Sequence, residues 1–122
     1  MESSTLDPPP EHWVICLCAE WCGVCREWRR AFDAAALDHP NVRFAWIDVE
    51  DEADAMGDID IETFPAVLVA PQGRPMFFGP VLPSAGQFDR LIANVSASGA
   101  APAGITPEIA ELFPRLVSLL RN

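Results

Sequence analysis

The chain contains no run of roughly 18 or more uncharged apolar residues, which excludes a helix that spans a bilayer. Met1–Glu11 has no basic start and no apolar core of its own. This stretch is therefore not read as a secretory signal, and the cytoplasm is the expected location. Basic residues are scarce, 8 against 18 acidic, for a net charge of −10. Such a chain lacks the positive face that nucleic acid or an anionic membrane surface would require, so neither is an expected partner. The acidic excess suits solubility and a preference for basic partners. The sequence also lacks a spaced disulfide framework, because its four cysteines all fall between positions 16 and 25. In a cytosolic chain such clustering points to redox chemistry or a metal. No internal repeat or low-complexity run is present.

What is present is enough apolar material for one core: 50% of the 122 residues are hydrophobic, so a single domain is expected. Residues 1–11 end in Pro8-Pro9-Pro10 and read as a flexible, Pro-rich lead-in. His12–Cys18 is short, apolar and β-branched, the pattern of a strand covered on both faces. After Ala19-Glu20-Trp21, apolar residues recur at Val24, Cys25, Trp28, Phe32, Ala35 and Ala36. That is helical spacing, and it runs to about His39, where Pro40 ends it. Val42–Asp48 alternates as a second strand, with Val42, Phe44 and Trp46 on one side and Arg43, Ala45 and Ile47 on the other. Strand, helix and strand with short joints make a parallel βαβ unit.

Positions 48–62 hold eight acids and no base. A short helix at Asp51–Met56, closed by Gly57, is expected there, with the acids favourable at its start. The run lacks the ligand spacing and central glycine of a calcium loop and reads as a solvated face. Ala66–Ala70 and Pro75–Gly79 flank a tight turn and form an antiparallel hairpin. Ser84 caps a helix reaching about Ala97, with Phe88, Leu91, Ile92 and Val95 inward. Residues 98–104 read as a flexible linker. Thr106-Pro107 then starts a last amphipathic helix, residues 105–122, with Pro114 expected to kink it. The fold class is α/β with one mixed sheet flanked by helices.

Trp21-Cys22-Gly23-Val24-Cys25 carries the chemistry. Two cysteines three apart at a helix start can close or open a disulfide, and a helix N-terminus stabilises a thiolate. Cys22, exposed at that end, is the expected nucleophile; Cys25, one turn in and more buried, is the expected resolving sulfur. Trp21 would shield the pair and offer partners a flat apolar contact. Trp28 reads as core, and His12 and His39 receive no catalytic role. Cys16 and Cys18, two apart on a strand, face the same side. A site using all four sulfurs for zinc or an iron–sulfur cluster is a third reading, made awkward by the rigid strand spacing.

Three features in order resemble the bacterial thioredoxin-like family: the strand into Ala19-Glu20-Trp21-Cys22, the strand end Trp46-Ile47-Asp48, and Thr63-Phe64-Pro65 before a strand. The resemblance runs from about His12 to Val95. It implies a thioredoxin-like fold with a mixed four-stranded sheet, and a cis proline at Pro65, preceded by Phe64, lying against the dithiol. It implies protein-disulfide oxidoreductase activity with no bound cofactor, and electrons from an NADPH-dependent flavin reductase. The chain departs from the family in several places. Gly23-Val24 stands where Gly-Pro is usual, Cys16 replaces a buried aspartate, and Ala45 is taken as the place of that aspartate's lysine neighbour. Too little chain precedes His12 for the family's opening strand and helix. Loss of the aspartate implies slower or differently pH-dependent turnover and a dedicated partner. The competing class is a thioredoxin-like adaptor or assembly chaperone with a regulatory or vestigial dithiol. The last helix is expected to fold back over an under-covered sheet face of the thioredoxin-like domain, residues 12–97, instead of docking a partner or a second copy.

Overall fold

The computed structural model describes residues 11–19, 22–57, 59, 61, 63–81, 84–97 and 99–121. The lead-in up to residue 10 and Trp21 lie outside the described residues. Burial on both faces makes His12–Cys18 the strand β1 around which the sheet forms, with Trp13 to Cys18 all buried. Its branched and aromatic side chains fit a pleated surface covered on each side. β1 pairs in parallel with β2, Val42–Asp48, and antiparallel with β3, Ala66–Ala70. β3 pairs antiparallel with β4, Phe77–Pro80, so the sheet order is β2-β1-β3-β4. The hairpin turn is a short 3-10 segment, Pro71–Gly73.

Helix α1, Gly23–Asp38, connects β1 to β2, and α2, Ala53–Met56, follows β2. Helix α3, Ala85–Ser96, begins at Ser84, whose hydroxyl accepts the Gln87 N–H at 3.5 Å. Helix α4, Pro107–Arg121, starts with the Thr106 hydroxyl accepting the Ile109 N–H at 3.2 Å. It continues through Pro114 as one element.

The period-two alternation of the strands sorts the core onto two faces. On one, Val14, Cys16, Cys18, Val67 and Val69 pack under α1 and α3 through Cys25, Trp28, Phe32, Phe88 and Ile92. Trp28 meets Phe88 edge-on at 5.0 Å, and Phe32 meets Phe44 and Trp46 the same way at 5.3 and 5.4 Å. On the other face, Trp13, Ile15, Leu17, Ile47 and Leu68 pack against Ile109, Leu112, Phe113 and Leu116 of α4 and Met56 of α2. The Arg115 guanidinium also donates to the Ala55 carbonyl oxygen at 2.9 Å.

Three expectations need correction. Ala45 pairs in register with Ile15 and packs on the α4 side of the sheet, away from Cys16. The β2 residues on the Cys16 side are Val42, Phe44 and Trp46, and the one in register with Cys16 is Trp46, so no small side chain pairs with that cysteine from β2. Val24, expected in the apolar stripe of α1, is 45% exposed, because the stripe that faces the sheet is Cys25, Trp28, Phe32 and Ala35. The stretch read as a flexible linker is tied to the sheet. Ala103 bridges Phe77, its carbonyl accepts the Phe78 N–H at 3.0 Å, and its own N–H donates to Met76 at 2.9 Å. Gly104 makes this approach possible: its φ is +75°, and a Cβ there would collide with the Phe78 carbonyl oxygen.

Candidate functional site

The carboxyl end of β1 delivers the chain to the start of α1, and this joint gathers the sulfurs. The Cys22 N–H bonds back to the Ala19 carbonyl at 3.0 Å, and the Cys22 carbonyl accepts the Arg26 N–H at 3.2 Å. Cys22 is thus the N-cap of α1, with extended φ and ψ of −81° and 117°. Its side chain makes no capping hydrogen bond to the first amides of the helix. No acidic residue occupies the first turn of the helix. Cys22 is half-buried, while Cys25, one turn further, is 1% exposed.

The sulfurs pair in a way the spacing did not suggest. Cys18 and Cys25 are joined in a disulfide across the joint, with their Cα atoms 5.9 Å apart. Cys16 and Cys22 are free thiols. The Cys16 and Cys18 sulfurs lie 3.8 Å apart, and since Cys18 is in a disulfide, the Cys16 S–H is the donor. Burial pushes the Cys16 thiol from 9.0 up to about 12, against smaller opposing effects of the Trp28 indole N–H and the Arg29 guanidinium. Trp28 Nε1 is itself buried without a regular hydrogen-bond partner, which leaves its N–H as a weak donor toward the sulfur.

The structure brings Cys16, Cys18 and Cys25 into one buried cluster, against which the half-buried Cys22 and Phe64 pack. Pro65 is fully buried at the entry to β3; the Phe64–Pro65 peptide is cis, and the Pro65 carbonyl accepts the Val81 N–H at 3.0 Å. Gly23 and Val24 are exposed on the rim of the helix end. Trp21 falls outside the described residues, so its role at the dithiol is left as an expectation. Cys18, whose part the sequence leaves open, is the residue that pairs with Cys25. The signal was its place on the Cys16 side of the strand, one residue before the turn that leads to the helix.

A cleft of about 400 Å³ reaches the cluster from the β2 side, lined by Ala19, Cys25, Arg26, Arg29, Trp46, Asp48 and Asp51. The Arg29 guanidinium sits 4.5 Å above the Trp46 ring and 3.5 Å from Asp33. The Asp48 carboxylate accepts the Glu50 and Asp51 N–H groups at 2.9 and 3.1 Å, which fixes the turn after β2. The acidic run continues from that turn, and no group of three or more His, Cys, Asp or Glu among the described residues could hold a metal ion. With Cys18 and Cys25 bonded to each other, neither has a thiolate to give, so the four-sulfur metal reading does not fit this state. His12 and His39 act structurally: His12 Nδ1 accepts the Gln72 N–H at 3.0 Å, and His39 Nε2 lies 3.3 Å from Asp89.

A helix start that presents one sulfur outward and a second sulfur inward, beneath a mixed sheet of order β2-β1-β3-β4, also has sequence support. Residues 3–81 match the Thioredoxin family model. The chain belongs to the thioredoxin family. Solved thioredoxins share its fold. A Fasciola hepatica thioredoxin is 22% identical with a TM-score of 0.61, covering 70% of this chain and 81% of its own. Thioredoxin NaTrxh from Nicotiana alata is 23% identical with a TM-score of 0.60, over 69% and 72% of the two chains. Mitochondrial thioredoxin 3 of Saccharomyces cerevisiae, in its oxidised form, is 22% identical with a TM-score of 0.59, over 75% and 86%. No curated protein sequence matches the chain.

Proposed function

We propose that this thioredoxin-family protein is a thiol–disulfide oxidoreductase that reduces protein disulfides through Cys22 and Cys25, acting in the cytoplasm. The observation that carries the reading is the contrast between two sulfurs one helical turn apart, Cys22 half-buried at the N-cap and Cys25 only 1% exposed. The Cys22 thiolate attacks a substrate disulfide, forms a mixed disulfide and expels one substrate thiolate. Cys25 then attacks the Cys22 sulfur and releases the second substrate thiol. By resemblance, an NADPH-dependent flavin reductase returns the electrons, and this chain binds no cofactor.

The substrate range is narrow on this reading. Among the described residues no charged side chain is buried, so nothing ionic beneath the helix assists loss of the Cys25 proton. That proton leaves instead through the cleft in which Asp48 and Asp51 stand. Slower turnover on a generic disulfide and a dedicated partner follow. Reduction of insulin disulfides with dithiothreitol as electron donor tests the activity. Turnover that disappears in Cys22→Ser supports it, and turnover indifferent to Cys22→Ser overturns it. A second reading, an adaptor whose dithiol is vestigial, draws on the pairing of Cys25 with Cys18 instead of Cys22; it requires that indifferent outcome.

A further inference from the structure

We infer that Cys18 is a third catalytic sulfur, which takes Cys25 from Cys22 after substrate is reduced and so stores the oxidised state in a buried bond while returning Cys22 as a free thiol. The inference rests on the dithiol reading above and adds a step to it. Its basis is the arrangement of the oxidised site. The bond present is Cys18–Cys25, both partners are 1% exposed, and the half-buried Cys22 is left as the thiol. Cys25 is thus within bonding reach of Cys18 on the strand, and it stands one helical turn from Cys22.

The exchange balances without an external oxidant beyond the substrate. The first two steps convert one substrate disulfide and two protein thiols into two substrate thiols and a Cys22–Cys25 disulfide. The Cys18 thiolate then attacks the Cys25 sulfur, the Cys18–Cys25 bond forms, and the Cys22–Cys25 bond breaks. Cys22 leaves as thiolate at the helix N-terminus, the position where its charge is best tolerated. No net electrons move in this last step, and the proton lost by Cys18 is taken up by the released Cys22 sulfur.

Cys16 serves the reverse direction. Its S–H already points to Cys18 at 3.8 Å. When Cys22 attacks Cys25 and Cys18 is expelled, that S–H is in place to stabilise the departing thiolate, and Cys16, whose thiol burial keeps protonated, does not compete as a nucleophile. Cys22 is therefore the gate. An external dithiol reaches the buried bond only after Cys22 has drawn Cys25 back into the accessible Cys22–Cys25 pair.

The test uses the full chain, oxidised with bis(2-hydroxyethyl) disulfide, cleared of reagent and treated briefly with N-ethylmaleimide. Peptide mass analysis then locates the label. The expected result is rapid labelling of Cys22 in the wild type, and no rapidly labelled thiol in oxidised Cys18→Ser, which closes as Cys22–Cys25. A wild type that instead holds Cys22–Cys25 with Cys18 as the free thiol overturns the relay and leaves the dithiol reading intact. In the second arm, dithiothreitol re-reduces oxidised wild type with and without prior labelling of Cys22. Labelling is expected to slow re-reduction by roughly tenfold or more, since the direct route to a buried disulfide is closed. Equal rates overturn the relay even where the Cys18–Cys25 bond is recovered, because dithiothreitol then reaches that bond without Cys22. This arm needs no substitution, so it decides the question even if Cys18→Ser fails to fold. Loss of Cys22-dependent insulin reduction with gated re-reduction intact would sink the oxidoreductase reading and spare the exchange.

Discussion

Cys18 at the end of β1 is bonded to Cys25 in the first turn of α1, which leaves Cys22, between them in sequence, as the half-buried thiol at the helix cap. The bond links strand to helix across a sequence separation of 7. Closing a loop of that size removes conformational freedom from the unfolded chain by about 2–3 kcal/mol in the loop-entropy account. Oxidised protein is therefore expected to be more stable than dithiothreitol-reduced protein by about that amount in urea unfolding. Coincident unfolding curves would mean that the bond does not restrict the unfolded chain enough to change stability.

Substitution of the two motif cysteines should give different phenotypes. Cys22→Ser removes the attacking sulfur, and disulfide reduction should fall to the rate without protein. Cys25→Ser keeps the attacking sulfur but not the resolving one, so mixed disulfides with substrate should accumulate and appear on non-reducing gels. Serine is nearly isosteric with cysteine, and folding of the variant is checked by circular dichroism because Cys25 is 1% exposed. Failure of Cys25→Ser to trap any mixed disulfide would argue that Cys22 does not attack substrate.

Alkaline stability reports on Cys16. The chain has no tyrosine, and all eight of its Lys-or-Arg positions are arginine. In the oxidised protein, Cys18 and Cys25 cannot titrate. Burial raises the Cys16 thiol from 9.0 to about 12 in the folded state. Above pH 9 the unfolded chain loses this proton while the native chain keeps it, so the unfolded state binds fewer protons and stability falls as pH rises. The slope rises towards about 1.4 kcal/mol per pH unit above pH 9, for about 1.6 kcal/mol lost between pH 9 and 10.5. Cys16→Ala should be less stable at pH 8, since it removes a buried side chain, yet should lose less between pH 9 and 10.5. An equally steep decline in Cys16→Ala would place the titration elsewhere.

The strands were legible because burial on both faces leaves a distinct trace. His12–Cys18, Val42–Asp48 and Ala66–Ala70 are apolar, β-branched runs bounded by Pro, Asn or acidic turns, and the structure has strands at those bounds. The α4 stripe was legible for the same reason at a period of 3.6, and Ile109, Leu112, Phe113 and Leu116 are buried. What was not legible depends on how one element sits on another. The pairing of Cys18 with Cys25 depends on the angle at which α1 leaves the strand, which a spacing of seven residues does not encode. The face taken by Ala45 follows from strand register, which pairs it with Ile15 and turns it away from Cys16. The composition of residues 98–104 is that of a linker, yet Ala103 hydrogen-bonds beside β4. Small residues there permit close backbone approach as well as flexibility.

Gly104 is where that approach is tightest. With φ at +75° and the Phe78 carbonyl oxygen against the Cβ position, Gly104→Ala faces both backbone strain and a collision with main chain. The expected cost is about 1–3 kcal/mol. Gly99→Ala is a useful control, since Gly99 also has positive φ, +85°, but open space at its Cβ position. It should show the conformational cost alone, and the two variants compared by thermal unfolding separate strain from contact. Equal losses would mean that the bridge to β4 adds nothing.

The two sheet faces should be separable by experiment. Leu112 and Leu116 of α4 are 0% exposed in the cluster with Ile15, Leu17 and Leu68, whereas the cysteines pack on the opposite face under α1. Truncating either leucine to alanine should cost about 2–5 kcal/mol, as large-to-small changes in a packed core do. Deleting residues 105–122 should lower the melting temperature further, because it uncovers that side of β1 and β3. Since β1 holds Cys16 and Cys18 on one face and Ile15 and Leu17 on the other, the damage reaches the sulfurs only through the strand itself. Below its own melting transition, Leu112→Ala should therefore keep both Cys22-dependent turnover and the rapid labelling of Cys22. A variant that stays folded by circular dichroism but loses turnover would show that α4 contributes to the site beyond supporting the sheet.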